Sequence, residues 1–445
     1  MSATPEAHPG DRLSRELRLS DATWLVVSGV IGSGIFLTPA AIAGQLPHPG
    51  AILAVWALGG LLSLAGALAN AELGAMYPRA GGDYVYLREA FHPLAGFLVG
   101  WLTFFVIYAG TVATLAAGFA AALGTFVVID STQALLLAIA LVWLISALNY
   151  VGVRWGALAN NITAVIKVTA LAGFACLAPI LGEGRGENLL PLVRGLGDLD
   201  LGALGLALSP VLFSYLGWNS SVYVASEIRD PSRNVPRSLF LGVALCTALY
   251  LLVNVAYLYA LPLAELQGAP NAGEAAARAL FGEVSGGLVG AFVLASILGT
   301  LNATVLVGPR IAYAMALDGL FFRGGERAHR TYRTPSVAIA VQAATASAIL
   351  LLLGSFERAL DYTTFAILLA TLADVAALYR LRRSQPDRVR PYRAWGYPWV
   401  PALYCVASAF VAAVLLWERP VECLVGLGLL GAGLPFYAAF SRRLR

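Results

Sequence analysis

Apolar stretches of about twenty residues, the length that crosses about 30 Å of hydrocarbon, recur along the whole chain. Approximately twelve can be read, at 22–45, 50–77, 92–123, 132–150, 155–181, 203–227, 236–262, 285–317, 335–354, 360–381, 398–417 and 420–440. Backbone surrounded by lipid must satisfy its own polar groups, which leaves helices as the solution for runs of this length. With 59% of residues hydrophobic and 12% charged, little chain remains for a domain outside the membrane. The sequence therefore predicts an all-α membrane protein of about twelve transmembrane helices in one polytopic bundle. A polar N-terminal segment precedes the first run, and further runs follow it in place of a small-residue cleavage site. The first span is expected to be retained.

The basic residues orient such a bundle. Loops on the side of the N-terminus hold 22 arginines and the opposite loops hold 5, namely Arg185, Arg194, Arg278, Arg358 and Arg419. By the positive-inside rule both termini are expected in the cytoplasm, in a cell (inner) membrane. The net charge of +4 reflects this bias, and the arginines line no single face, so no nucleic-acid partner is implied. Cys176, Cys246, Cys405 and Cys423 all fall in expected spans and read as small buried apolar residues, without disulfide or zinc spacing. His8, His48, His92 and His329 lack ligand spacing. Neither a metal nor a cofactor is expected.

Two spans are not ordinary Leu/Ala/Val helices. The first carries SGVIGSGIFLTPAAIAG (28–44), with Gly29, Gly32 and Gly34 at mid-membrane depth. The sixth carries SPVLFSYLGWNSSVYVASE (209–227), where Pro210, Gly217, Trp218, Asn219 and two serines interrupt the run. A glycine inside a helix costs about 1 kcal/mol relative to alanine, so three within six residues make unwinding plausible. Unwound backbone survives at this depth only where protein or a watery cavity covers it. Breaks at the first position of two successive sets of five spans point to a transporter's binding site. Close helix packing is the competing reading of small residues. A broken helix offers unpaired amides with a positive dipole end, which suit a carboxylate. Its other half ends in free carbonyls that can accept from an ammonium. Together they fit the backbone of an α-amino acid.

At these residues the chain resembles the amino acid–polyamine–organocation (APC) superfamily, and within it the L-type amino acid transporter branch and its bacterial relatives. The motifs are GVIGSGIF in span 1, AELGAMYPRAGGDYVYLREAF after span 2, FSYLGWNSSVYVASEIRDPSRNVPRSL around span 6, and RPYRAWGYPWVP entering span 11. The resemblance covers nearly the whole chain. It implies two inverted five-helix repeats, 22–181 and 203–381, then two further helices in 398–440, with cytoplasmic tails at 1–21 and 441–445. It also implies alternating access to a central L-amino acid. Carried over by position, backbone amides of Ser33 and Gly34, with Gly32, would hold the substrate carboxylate. Carbonyls of Val30, Phe213 and Leu216 would hold its ammonium. Phe213 would also be an aromatic gate, or else a core aromatic. Ile31, Ser214, Tyr215, Gly217, Trp218 and Asn219 would line the site. Animal members pair through a cysteine between spans 3 and 4; that loop, 123–132, has none here, so no accessory glycoprotein subunit is expected.

Lys167 is the one lysine in the chain. It lies near 18 Å from either end of span 5 at 1.5 Å per residue, beyond easy snorkelling reach. An ionised lysine at that depth costs at least about 2.5–3.5 kcal/mol and calls for a cavity and partners. In several sodium-independent members of the superfamily a span-5 lysine reaches into the place of the sodium ion that sodium-coupled members hold between spans 1 and 8. Lys167 matches that position, with Thr300 as its expected span-8 partner. The reading is a sodium-independent exchanger or facilitator of neutral, small L-amino acids. Proton symport through Lys167 and a non-transporting sensor stay open beside it. A channel would need rings of pore-lining polar groups, and an enzyme a nucleophile or metal motif, and neither is seen. Glu72, Asp318 and Asp374 read as loop-paired or solvated groups near span ends, and Glu227 and Arg229 as a place for an inner gate.

Overall fold

The first apolar run does not form one helix. In a computed structural model of the chain, which describes residues 11–46, 48–124, 126–190, 192, 201–353 and 356–442, it is split into α1 (Leu19–Val30) and α2 (Gly34–Gln45), bent by 44°. Residues 1–10 and 443–445 of the expected tails, with His8, Arg194, Arg443 and Arg445, lie outside the described residues, as does the side chain of Arg358. Helix starts are legible in the local chemistry. Asp21 accepts from the Arg18 amide at 2.7 Å to close the first turn of α1. α3 (Pro49–Met76) opens on a proline with the His48 Nδ1 accepting from the Ala51 amide at 3.1 Å. After α4 (Asp83–Ala90), α5 (Pro93–Trp101) repeats that device with His92, whose Nδ1 accepts from the Leu94 amide. These two histidines cap helices.

α5 continues through a π-helical segment, Leu102–Tyr108, into α6 (Ala109–Leu123). α7 (Ser131–Tyr150) starts on a reciprocal cap between Asp130 and Gln133, and α8 (Val153–Leu181) completes the first half. The second half begins with α9 (Leu201–Ser214), which stops at the Tyr215–Asn219 turn before a single helical turn, α10 (Ser220–Tyr223). α11 (Pro231–Ala260) follows, then two short helices that hydropathy alone did not reveal, α12 (Leu263–Gln267) and α13 (Ala272–Phe281). α14 (Glu283–Leu317), α15 (Ser336–Leu353), α16 (Phe356–Ser384), α17 (Trp399–Glu418), α18 (Pro420–Gly431) and α19 (Gly433–Ser441) complete the chain.

Among the described residues nine helical spans are long and apolar enough to cross a membrane, or ten with the bent α1–α2 pair as one. The expected spans 6 and 9 fall on shorter apolar helices, Gly202–Ser214 and Ser336–Leu352. Span 6 therefore differs from the 203–227 run of the sequence. Its second part is turns and one helical turn, because Gly217 takes φ +95° and diverts the chain.

The two breaks sit at the centre of the packing. α1 lies against α11 and α8, α2 against α9, and α14 against α8 and α6, while α11 runs along α3. The outward faces are apolar, with Leu144, Leu352, Trp399 and Trp417 all well exposed, as a lipid-facing surface requires. Cys246 and Cys423 are buried, but Cys176 is exposed on α8 and does not belong to the core.

At one end the chain before α1 is strapped to the chain after α10. Leu17 N donates to Glu227 O at 2.9 Å and Arg229 N donates to Leu17 O at 2.8 Å. Beside this strap Arg310 of α14 donates to both carboxylate oxygens of Glu227, at 2.7 and 3.1 Å, with both side chains fully buried. Glu72 is likewise buried, accepting from Arg382, Arg390 and the Ala394 amide. Asp318 accepts from Tyr84 at 2.6 Å and pairs with Arg88. Asp374 differs from these three. It is neither at a solvated end nor paired to a loop; it is fully buried.

Candidate functional site

Between the two breaks lies a cavity of about 130 Å³. Gly29, Val30, Gly32, Ser33 and Gly34 form one wall, and Phe213, Ser214, Leu216, Gly217, Asn219 and Ser220 the facing one. Ile107, Tyr108 and Thr111, from the π-helical segment and the start of α6, close a third side. A π segment shifts the register of the helix that carries it, and here it turns Tyr108 inward. Thr300 and Thr304 of α14, Thr371 of α16, and Asp83 with Tyr223 supply the remaining polar groups.

The wall at α2 is electropositive in character. Gly34 and Ile35 open the helix, and the first amides of a helix have no partner within it. Ser33 makes no side-chain cap bond that would cover them. Gly34 is also required by contact, since a Cβ there would lie 2.7 Å from Ser214 Oγ and 3.0 Å from Ser214 Cα. The amide of Gly32 is different. It donates to Val30 O at 2.9 Å across a tight turn whose Ile31 has φ −75° and ψ 87°. Gly32 lines the cavity, but its N–H is already bonded.

The acceptor side also departs from the sequence expectation. Val30 O accepts from Gly32 N and, at 2.8 Å, from the Tyr250 hydroxyl, which uses both lone pairs. The same hydroxyl lies 3.0 Å from Ser214 O, so Tyr250 of α11 bolts the end of α1 to the end of α9. Phe213 O accepts from Leu216 N at 3.0 Å and keeps one lone pair. Among the described residues no donor reaches Leu216 O. Leu216 and Phe213 are thus the carbonyls left to meet a cation, and Val30 is not.

Of the other expected lining residues, Ser214, Gly217 and Asn219 face the cavity, whereas Ile31, Tyr215 and Trp218 do not. Ile31 is fully buried, with its carbonyl turned away toward α8 and α14. Tyr215 needs a partner for its hydroxyl and finds Trp56 O at 3.2 Å, its ring set tilted against Trp56 and edge-on to Tyr250. Trp218 packs edge-on against Tyr404 of α17.

Lys167 stands behind the α1 end, outside the cavity. Its ammonium donates to Ile31 O at 2.7 Å, Ser28 O at 3.2 Å and Thr300 Oγ1 at 2.8 Å. The two carbonyls are ones that the end of α1 frees, the hydroxyl belongs to α14, and all three donor positions of the ammonium are used. Thr300 touches both the lysine and the cavity.

Sequence reasoning missed Asp83, Tyr108, Thr111, Tyr223, Thr371 and Tyr250. A signal existed for Tyr250, since a tyrosine within a long apolar span must find a partner for its hydroxyl. No residue pattern marked the π segment. Tyr250→Phe is expected to lower stability by about 1–2 kcal/mol, the worth of one or two neutral hydrogen bonds. Thermal unfolding of the detergent-solubilised protein, followed by tryptophan fluorescence, reads this as a midpoint lowered by a few degrees.

Paired breaks around a small, mostly apolar cavity with a few polar groups describe a carrier's centre, and the sequence agrees. Residues 17–436 match the amino acid permease family. The chain belongs to that family. The permease is 30% identical over 440 residues to the serine/threonine exchanger SteT of Bacillus subtilis (strain 168), spanning 97% of this chain and 98% of that protein. It is 31% identical over 447 residues to the human large neutral amino acids transporter small subunit 2, covering 98% of this chain and 82% of that one. The human b(0,+)-type amino acid transporter 1 is 30% identical over 435 residues, covering 96% and 88%. The permease is an all-helical, multi-pass membrane protein of the APC type and a transporter of amino acids, not an enzyme.

Proposed function

We propose that the permease is a sodium-independent exchanger or facilitator of neutral, small L-amino acids, working by alternating access. The observation that carries this is the pairing of α2's opening amides with the free carbonyl of Leu216 across one cavity. The Ser33 and Gly34 amides would take the substrate carboxylate. Leu216 O, with Phe213 O, would take its ammonium, and the Phe213 ring would close over it. The cavity's small volume and its hydroxyls suit a short side chain. The relative named as a serine/threonine exchanger supports both the size and the exchange mode.

Sodium independence is inferred from Lys167. Its ammonium fills the gap between α1 and α14 with a fixed positive charge, and three acceptors favour keeping that charge. The relative named as an exchanger favours exchange over proton symport through this lysine. The rocking units would be 22–181 and 203–381, with 398–440 as a scaffold. The arginine bias supports a cell-membrane location with both termini on the cytoplasmic side. One relative is named a small subunit; without a cysteine in the 123–132 loop, this chain is expected to act without an accessory subunit.

The test is counterflow of labelled serine or alanine into proteoliposomes, competed with each common amino acid. Replacing sodium by choline should leave the initial rate unchanged within about twofold, a difference of about 0.4 kcal/mol. A sodium requirement would overturn the role given to Lys167. Saturable binding without flux would favour a sensor.

A further inference from the structure

Asp83 and Asp374 are buried carboxyls that the binding of an amino acid's backbone does not use. Asp83 is 1% exposed at the start of α4, and Asp374 is fully buried on α16, which packs against α4. The two side chains are neighbours. Tyr223 donates to Asp83 Oδ2 at 2.5 Å, and Asn219 Nδ2 lies 3.0 Å from the Tyr223 hydroxyl. Asp83 Oδ1 and both oxygens of Asp374 have no partner among the described residues.

A second observation points the same way. Asn70 of α3, fully buried beside Asp374, has no partner within 3.5 Å among the described residues for either amide atom, and the buried hydroxyl of Tyr86, close to both carboxyls, has none either. Unmatched polar groups converging in an apolar interior are costly unless something completes them. The titratable groups facing the pair are Tyr86, Tyr108, Tyr223 and Tyr404. The charged groups further along the packed elements are Glu72 with Arg382 and Arg390, and Glu227 with Arg310, and these satisfy one another. Neither aspartate is in an ion pair among the described residues.

We propose that Asp83 and Asp374 form a carboxyl pair that shares a proton beneath the substrate cavity and makes transport sensitive to pH. Two carboxylates side by side in a low dielectric cannot both ionise without large cost, so one proton is held between them. It comes from cavity water, through Asp83, which lines the cavity while Asp374 does not. Losing it places two negative charges together under the Asn219–Tyr223 turn. The native arrangement is thus favoured while the proton is bound and weakened as pH rises past its release. An amino acid arriving above Asp83 changes that group's surroundings and so couples substrate occupancy to the proton.

The test compares the wild type with Asp374→Asn, which keeps the shape and removes the ionisation. Infrared difference spectroscopy of the reconstituted protein should show a protonated carboxylic acid that disappears at alkaline pH and is missing in Asp374→Asn. This readout does not depend on transport. The transport readout rests on the function proposed above. Wild-type counterflow should fall by up to about tenfold per pH unit beyond the release of the proton, and Asp374→Asn should give a flat profile at the acid-side rate. If that variant is unfolded by size-exclusion chromatography, Asp83→Asn is read by the same infrared band. A wild-type band that persists in either folded variant overturns the proposal. So does a wild-type pH profile in Asp374→Asn, or a bound sodium lost in that variant, which would make the site one for a metal cation. Absence of counterflow in the wild type with the band present would sink the transport reading and leave the pair intact.

Discussion

Lys167→Met is expected to lower the initial rate of amino acid exchange by at least about a hundredfold, equivalent to about 2.7 kcal/mol. Methionine fills much of the space of the lysine stem but offers no donor. Ser28 O is then left without a donor, Ile31 O keeps only the Thr300 and Ser296 hydroxyls, and Thr300 Oγ1 loses its charged partner. A buried acceptor left unpaired costs about 1–3 kcal/mol. The loss falls at one spot, where α1 ends and where α8 and α14 hold it. That end sets the direction of the Ser33 and Gly34 amides, so the damage reaches the substrate through positioning. Lys167→Arg is not expected to rescue. Its fork is larger and rigid, and a Cβ on neighbouring Gly299 would already lie 2.9 Å from Lys167 Cε. The measurement is counterflow per folded protein, with folding checked by size-exclusion chromatography. Exchange at the wild-type rate in folded Lys167→Met would remove this lysine from the mechanism.

The sequence was most informative where physics left few solutions. Spans of apolar residues fixed the all-helical bundle, and glycines and polar residues at matching depth located the two breaks. A single charge in a long apolar run singled out Lys167. What it could not convey was direction. Ile31, Tyr215 and Trp218 sit in the interrupted segments beside true lining residues, but unwound backbone has no fixed periodicity to say which side chain faces inward. Tyr215 and Trp218 turn away because α3, α11 and α17 offer them aromatic and hydrogen-bonding partners, which only the folded chain brings near. The Val30 carbonyl and the Gly32 amide show a second limit. Each is in the right place, yet each is consumed by a contact, from Tyr250 or within the turn, that hydropathy does not encode. The carboxyl pair shows a third. Asp83 and Asp374 stand 291 positions apart, and neither reads as buried until α4 and α16 are packed together.

Gly217→Ala is expected to cost the protein about 2–5 kcal/mol and to abolish transport in whatever fraction folds. Two separate penalties meet at this residue. Its φ of +95° lies where an L side chain is strained, at about 1–2 kcal/mol. Its added Cβ would also stand 2.7 Å from both the carbonyl carbon and oxygen of Gly29. A flexible side chain could yield to such an overlap, but this one is backbone against backbone, and overpacking of that kind costs about 1–3 kcal/mol. Relief requires the two breaks to separate. Gly29 cannot retreat freely, because α1 is already set against α11 and α8. Separation would move the Leu216 carbonyl away from the Ser33 and Gly34 amides, so both ends of a zwitterion could no longer be held at once. Thermal unfolding should show a clearly lowered midpoint, and binding of a labelled amino acid at fixed concentration should be lost in the folded fraction. Gly44→Ala, where no atom lies within 4 Å of the new Cβ, serves as the helix-glycine control and should leave both readouts near wild type. If Gly217→Ala binds substrate as tightly as that control, contact between the two broken helices is not what forms the site.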